Sequence, residues 1–147
     1  MPEVGHAAPD FALLDSDKKE VKLSARPGHN VILAFYPCAW SPTCTDEMAC
    51  FRDDLDTLSK HAEVLAISAD STWSHKAWKE QLGISFPLLS DPARDVIKRY
   101  GVLAADGASE RAYFIVDRDG VVRFKHVMPE RGKKLDNSVL LKELQKL

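Results

Sequence analysis

The sequence predicts an α/β fold built on a central mixed sheet, and three observations carry that reading. Two short apolar runs, Val31–Phe35 and Val64–Ser68, are each followed by a stretch with helical periodicity. Two more strand-like segments, Ala112–Val116 and Val121–Val127, flank Asp117-Arg118-Asp119-Gly120. Strands that alternate with helices and then close on a hairpin belong in one sheet covered by those helices.

Taken in order, Val31-Ile-Leu-Ala-Phe35 is apolar throughout, as a strand covered on both faces would be. From Cys44 onward, Met48, Phe51, Leu55 and Leu58 recur at helical spacing and give one apolar face. Val64-Leu-Ala-Ile-Ser68 is the second buried strand. Trp73–Leu82 is a second helix, with Gly83 placed to stop it. Phe86-Pro-Leu-Leu89 is expected to be a short edge strand, because its proline cannot donate to a ladder. Ser90–Gly101 is expected to be a third helix, with Pro92 in its first turn and Gly101 at its end. Asp119-Gly120 marks the hairpin turn between the last two strands. Ser138–Leu147 is expected to form a closing helix.

The chain has 147 residues, the size of one domain with one sizeable core, so residues 1–147 are expected to fold as a single unit. Hydrophobic residues make up 45% and charged residues 29%, which suits a globular protein without repeats or linkers. No apolar run approaches the roughly 18 residues of a membrane span. The opening Met1-Pro-Glu-Val-Gly-His6 lacks the basic and apolar regions of a signal peptide, so a cytosolic location is expected. A net charge of −2 argues against nucleic acid as a partner, and Arg131-Gly-Lys-Lys134 reads as a solvated loop.

Cys38, Cys44 and Cys50 are the only cysteines. An odd number in a cytosolic chain does not suggest a disulfide framework. Five residues separate each pair, and His61 lies eleven residues beyond Cys50, so the spacing does not suit zinc. Neither a metal nor another cofactor is expected, and a reactive thiol becomes the leading question.

The informative segment is Phe35-Tyr-Pro-Cys-Ala-Trp-Ser-Pro-Thr-Cys-Thr-Asp-Glu47. A buried strand ends, a short loop follows, and a helix starts at about Cys44. Unpaired N–H groups and the positive end of the helix dipole would stabilise a thiolate there and supply a nucleophile at neutral pH. The plainer alternative is an inert cysteine, because Cys44 also lies on the apolar face with Met48 and Phe51.

This segment resembles the peroxiredoxin signature Pro-x-x-x-Thr/Ser-x-x-Cys, here Pro37, Ser41 and Cys44. The resemblance extends over nearly the whole chain. Gly5-His-Ala-Ala-Pro-Asp-Phe11 is similar to the family's opening. Ile67–Ser71, Ser74–Trp78 and Leu82–Asp91 resemble its middle, and Arg111–Asp117 resembles the segment with the family's active-site arginine. The resemblance implies a thioredoxin-like fold with an N-terminal extension. It implies that the chain reduces hydrogen peroxide and organic hydroperoxides, and that Cys44 is the peroxidatic nucleophile. By the same resemblance Pro37 shields the pocket, the Ser41 hydroxyl bonds peroxide or thiolate, Arg111 faces the thiolate, and Glu47 holds Arg111. Cleavage of an O–O bond needs donors aimed at the oxygen that takes up charge, and a guanidinium stays charged and offers several. Simpler roles exist for each: Ser41 capping a turn, Arg111 on the surface, Glu47 opposing a helix dipole, Pro37 ending a strand. Ser41 stands where threonine is commoner, so the hydroxyl remains and the methyl is lost.

The expected partners are a peroxide substrate and a thiol reductant, either a thioredoxin-like protein or a small thiol. The resemblance implies a homodimer, with a monomer as the alternative. Two other functions compete. Trp40-Ser-Pro-Thr-Cys44 overlays the Trp-Cys-x-x-Cys of thiol–disulfide oxidoreductases, but Ser41 replaces the attacking cysteine. A non-enzymatic redox sensor would share the reactive thiol and differ only in turnover. How Cys44 is recycled stays open between an external thiol, Cys50 and Cys38. On an unbroken helix, six residues set Cys44 and Cys50 roughly 9 Å apart along the axis, beyond the reach of a disulfide.

Overall fold

The computed structural model describes residues 2–26 and 28–147. Strands β1 (Ala12–Leu14) and β2 (Glu20–Lys22) form a hairpin, followed by a short 3-10 turn at Leu23–Ala25. Then come β3 (Val31–Phe35), α1 (Pro42–Leu58), β4 (Glu63–Ser68), α2 (Thr72–Leu82), β5 (Leu88–Ser90) and α3 (Asp95–Arg99). Strands β6 (Ala112–Val116) and β7 (Val122–Val127) and helix α4 (Asn137–Leu144) complete the chain. The strands form one sheet in the order β2-β1-β5-β4-β3-β6-β7. It is mixed: β3, β4 and β5 run parallel, while the pairs β3–β6, β6–β7, β1–β5 and β1–β2 are antiparallel.

All five residues of β3 are buried, because the sheet is covered on both faces. The two-residue period of a strand splits them. Ile32 and Ala34 pack with Met48, Phe51 and Leu58 of α1, Trp78 of α2, and Leu140 and Leu144 of α4. Val31, Leu33 and Phe35 pack on the other face with Val96 and Ile97 of α3, Tyr100, and Phe11 and Leu13 of the N-terminal segment. The apolar stripe of α1 therefore presses its first turns against the end of β3, which fixes where Cys44 sits.

The structure departs from the sequence reading in four places. Residues 90–101 contain only a five-residue helix, α3. Arg94 lies in the left-handed region at φ 63°, its N–H closes a turn on the Asp91 carbonyl, and Asp91 Oδ2 accepts from Ile97 N–H. These bonds make residues 91–94 a turn, with Pro92 inside it rather than in a helix. Strand β5 is internal, not an edge, because Leu14 of β1 pairs with Ser90. Pro87 precedes the strand, so no ladder donor is lost, and its carbonyl accepts from Ala66 N–H. The hairpin β1–β2 has no counterpart among the strands that the sequence predicts. Its strands have three residues each, and its turn depends on Asp15 Oδ1 accepting from Asp17 and Lys19 N–H. Finally, α1 begins at Pro42, two residues before Cys44, and α4 spans Asn137–Leu144 behind an Asp136 cap.

Candidate active site

The site forms where β3 hands the chain to α1. Ser41 is the N-cap of α1, and Pro42 fills the first helical position, where a missing N–H costs nothing. Cys44 is thus the third helical residue, and its own N–H donates to Ser41 Oγ at 3.3 Å. Its side chain has no solvent exposure. The register Phe35↔Ala112 between β3 and β6 places Arg111, just ahead of β6, beside the end of β3. The chain distance of 67 residues between Arg111 and Cys44 thereby closes to a contact of 3.2 Å between Nη2 and Sγ.

Arg111 is 1% exposed and every side-chain nitrogen has an acceptor. Nη1 donates to Glu47 Oε1 at 2.6 Å, and Nε and Nη2 donate to the Arg131 carbonyl at 3.1 and 2.9 Å. Glu47 lies one turn beyond Cys44 on the same buried face of α1, and its other oxygen accepts the Tyr113 hydroxyl. Burial pushes the Glu47 carboxyl above its ordinary value, and Arg111 and Tyr113 oppose that push. Burial works against the Arg111 charge, but Glu47 and Cys44 outweigh it and hold its pKa above the usual value. The result is a fixed guanidinium, with Nη1 on a carboxylate oxygen, the Nε–Nη2 edge on a carbonyl, and Nη2 also on the sulfur.

The other expected residues are placed as follows. Ser41 Oγ contacts the Cys44 amide and donates to the Cys38 carbonyl at 3.3 Å, so its hydroxyl serves the helix cap in this structure. Pro37 is half-buried in the β3–α1 loop. Cys38 is exposed in that loop, and desolvation of its sulfur and the nearby Cys44 push its thiol up. Cys50 is half-buried on α1. Lys134 stands beside it, with Nζ 3.7 Å from Asp46 Oδ2. Partial burial opposes its charge, but Cys50 and Asp46 hold it above its ordinary value. The three cysteines are unpaired.

Two participants escaped the sequence reading. Tyr113 lies two residues beyond Arg111 on β6, on the same face of the sheet, so strand alternation held the signal. The Arg131 carbonyl is a backbone group and carries no signal of residue type. Its loop is held by the Arg131–Asp106 ion pair at 2.7 Å and by Thr43 Oγ1 donating to the Gly132 carbonyl.

Among the described residues no group of three or more His, Cys, Asp or Glu is placed to hold a metal ion. A cavity of about 270 Å³ lies at the opposite end of β3, lined by Arg26, His29 and Asp117–Gly120 among others, and shares no residue with the Cys44 cluster. The chemistry on offer at Cys44 is that of a thiol. Its negative form faces a fixed cation and a helix N-terminus, the arrangement that suits nucleophilic attack.

Residues 4–125 match the AhpC/TSA family. The chain is 39% identical over 141 residues to alkyl hydroperoxide reductase E of Mycobacterium tuberculosis, covering 92% of each chain. It is 39% identical over 123 residues to the chloroplastic peroxiredoxin Q of rice, covering 82% of this chain and 57% of that one. Its structure superposes on the peroxidoxin BcpB of Mycobacterium tuberculosis with a TM-score of 0.91 at 27% identity, over 100% of this chain and 99% of the other. On the reduced 2-Cys peroxiredoxin of Plasmodium vivax the TM-score is 0.88 at 30% identity, over 97% and 94%. A family match over most of the chain, relatives of this similarity, and a thiol held against an arginine at a helix start together place the chain in the AhpC/TSA family, the peroxiredoxins.

Proposed function

We propose that this protein is a thiol-dependent peroxidase in which the Cys44 thiolate attacks the O–O bond of hydrogen peroxide or an organic hydroperoxide. The observation that carries this is the 3.2 Å contact from Arg111 Nη2 to Cys44 Sγ at the start of α1. The sulfur takes the terminal oxygen and becomes Cys44–SOH. The O–O bond breaks, and the leaving alkoxide or hydroxide takes a proton from water. Arg111 and the first-turn N–H groups face the charge as it moves from sulfur to the leaving oxygen. Glu47 holds the guanidinium, Pro37 covers the thiol, and Ser41 holds the helix start and offers its hydroxyl to the bound peroxide.

Two external thiols then return Cys44 to the thiol, yielding their disulfide and water. A thioredoxin-like protein or a small thiol serves as this reductant. An external reductant is favoured because Cys50 lies on the unbroken helix α1 with Cys44. Cys38, exposed beside the site, is the second thiol within the chain that could act in its place. Three unpaired cysteines suit a reducing compartment, which supports a cytosolic setting. No helix among the described residues is long and apolar enough to cross a membrane. Family membership supports a homodimer, which sedimentation distinguishes from a monomer.

The deciding experiment follows peroxide loss with excess dithiothreitol. The wild type consumes many equivalents per chain, and Cys44→Ser consumes none while remaining folded. Consumption of a single equivalent would make the protein a sensor. Undiminished consumption by Cys44→Ser would move the reaction to another residue.

A further inference from the structure

The proposed peroxide site depends on a loop bent against its own preference. Between β3 and α1, Trp40 has φ 73°, a left-handed conformation that a bulky side chain enters only at a steric cost. Pro37 and Ser41 lie on either side of it. Such a bend persists where its surroundings over-determine it, and two contacts from the next βα unit do so. Ala39 N–H donates to Asp70 Oδ2 at 2.7 Å, and the Trp40 indole N–H donates to Ser74 Oγ at 2.9 Å.

Asp70 is itself aimed from below. The same Oδ2 accepts the Ser68 hydroxyl at 2.6 Å. Ser68 Oγ lies 2.9 Å from His75 Nε2, which is 2.6 Å from the Tyr36 hydroxyl, and Ser90 Oγ lies 3.0 Å from His75 Nδ1. Tyr36, Ser68 and His75 have no solvent exposure. These contacts fit one order of donors: Tyr36 donates to Nε2, Nδ1–H donates to Ser90, and Ser68 donates to Asp70. A buried network with all members satisfied is rigid. It begins at Tyr36, the residue before Pro37, and returns to the loop at Ala39.

We propose that Asp70 is a positioning residue for the peroxide reaction: its carboxylate oxygen, aimed by the Tyr36–His75–Ser68 network, pins the Ala39 amide and so holds the Pro37–Ser41 turn over Cys44. The proposal rests on the reading of Cys44 as the peroxide-reducing thiol. A released turn carries Ser41 with it, and Ser41 holds the Cys44 amide. The sulfur then shifts relative to Arg111, and a displacement near 1 Å costs on the order of 10²-fold in rate.

A single oxygen accepts both bonds, so an amide oxygen can replace it. The test compares Asp70→Ala with Asp70→Asn. Asp70→Ala lowers the second-order rate constant with hydrogen peroxide by about 10- to 100-fold, and Asp70→Asn recovers most of it. Alkylation of Cys44 by iodoacetamide, mapped by mass, is unchanged or faster in Asp70→Ala, because a loosened turn uncovers the thiol. General damage would slow both reactions together, and that outcome overturns the proposal. So does an Asp70→Ala rate equal to wild type, or an Asp70→Asn loss as large as that of Asp70→Ala, which would make charge the cause. If Asp70→Ala does not fold by circular dichroism, Asp70→Ser, too short to reach the Ala39 amide, takes its place. A wild type that consumes no peroxide, or a Cys44→Ser variant that still does, removes the reading of the site itself, independently of the Asp70 comparison.

Discussion

Arg111 divides its donors among three acceptors, the Glu47 carboxylate, the Cys44 sulfur and the Arg131 carbonyl. A lysine ammonium is a compact point charge that cannot hold a carboxylate, a carbonyl and a sulfur in one plane. Arg111→Lys is therefore expected to lower the peroxide rate constant by roughly 10²–10³, the usual cost of one transition-state donor. Stopped-flow measurement of Cys44 oxidation checks this, and a wild-type rate would remove Arg111 from the reaction. That Arg111 meets Cys44 across 67 residues was legible only through the motifs that resemble peroxiredoxins, since neither periodicity nor composition pairs the two. Glu47 was legible for the same reason. The Arg131 carbonyl was not, because backbone acceptors leave no trace in residue type. Asp70, His75 and Ser68 lay within the quoted Ile67–Ser71 and Ser74–Trp78 segments, but their contacts with the active-site loop depend on the β3–β4 pairing in space.

At the scale of the element, α1 sets both the reactivity and the isolation of Cys44. Ser41 Oγ caps its N-terminus, so Ser41→Ala should cost about 1 kcal/mol of stability and also weaken peroxide reduction. Ser41→Thr keeps the oxygen and should preserve both. Urea unfolding beside a peroxide assay tests this, and an Ala variant as stable as wild type would show that the cap contributes nothing. Helix α1 continues unbroken from Pro42 to Leu58, with Met48, Phe51 and Leu58 buried under it. Bonding Cys44 to Cys50 would unwind its first turns and lift Met48 and Phe51 out of the core. Cys50→Ser is thus expected to leave the first oxidation unchanged, and intact mass after one equivalent of peroxide should rise by about 16 in both proteins. A wild-type loss of about 2 that vanishes in Cys50→Ser would establish a resolving role for Cys50. The apolar face of α1 was legible in the sequence because it runs for several turns, and α2 was legible with its stop at Gly83. The late start of α3 and the β1–β2 hairpin were not, because a single left-handed residue, Arg94, and three-residue strands lie below the length at which periodicity can be read.

Across the whole molecule, the sheet separates two packed faces, and a set of buried polar side chains lies at the end where β3 and β4 finish. The parallel strands β3 and β4 end together, and their following loops carry the Cys44 site and the Asp70–His75 network side by side. His75 belongs to the packing as much as to the site, since it has no solvent exposure and both ring nitrogens are engaged. Burial lowers its pKa to about 4 from an ordinary 6.5, with Asp70 opposing. Between those values the unfolded chain binds a proton at this residue and the folded chain does not. The stability this neutral histidine contributes is therefore complete above about pH 6.5 and is lost as pH falls toward 4. A shift of this size corresponds to about 3 kcal/mol. Glu47 and Asp91, both pushed up by burial, titrate in the opposite sense, so the informative quantity is a difference between two proteins. His75→Gln should be less stable than wild type at pH 7, where it forfeits part of the network. The gap in unfolding free energy should then narrow by up to about 3 kcal/mol on going to pH 4, because the glutamine does not titrate. Urea unfolding curves at pH 7, 5.5 and 4 measure that gap, and a gap constant with pH would mean that His75 takes up its proton without disturbing the fold.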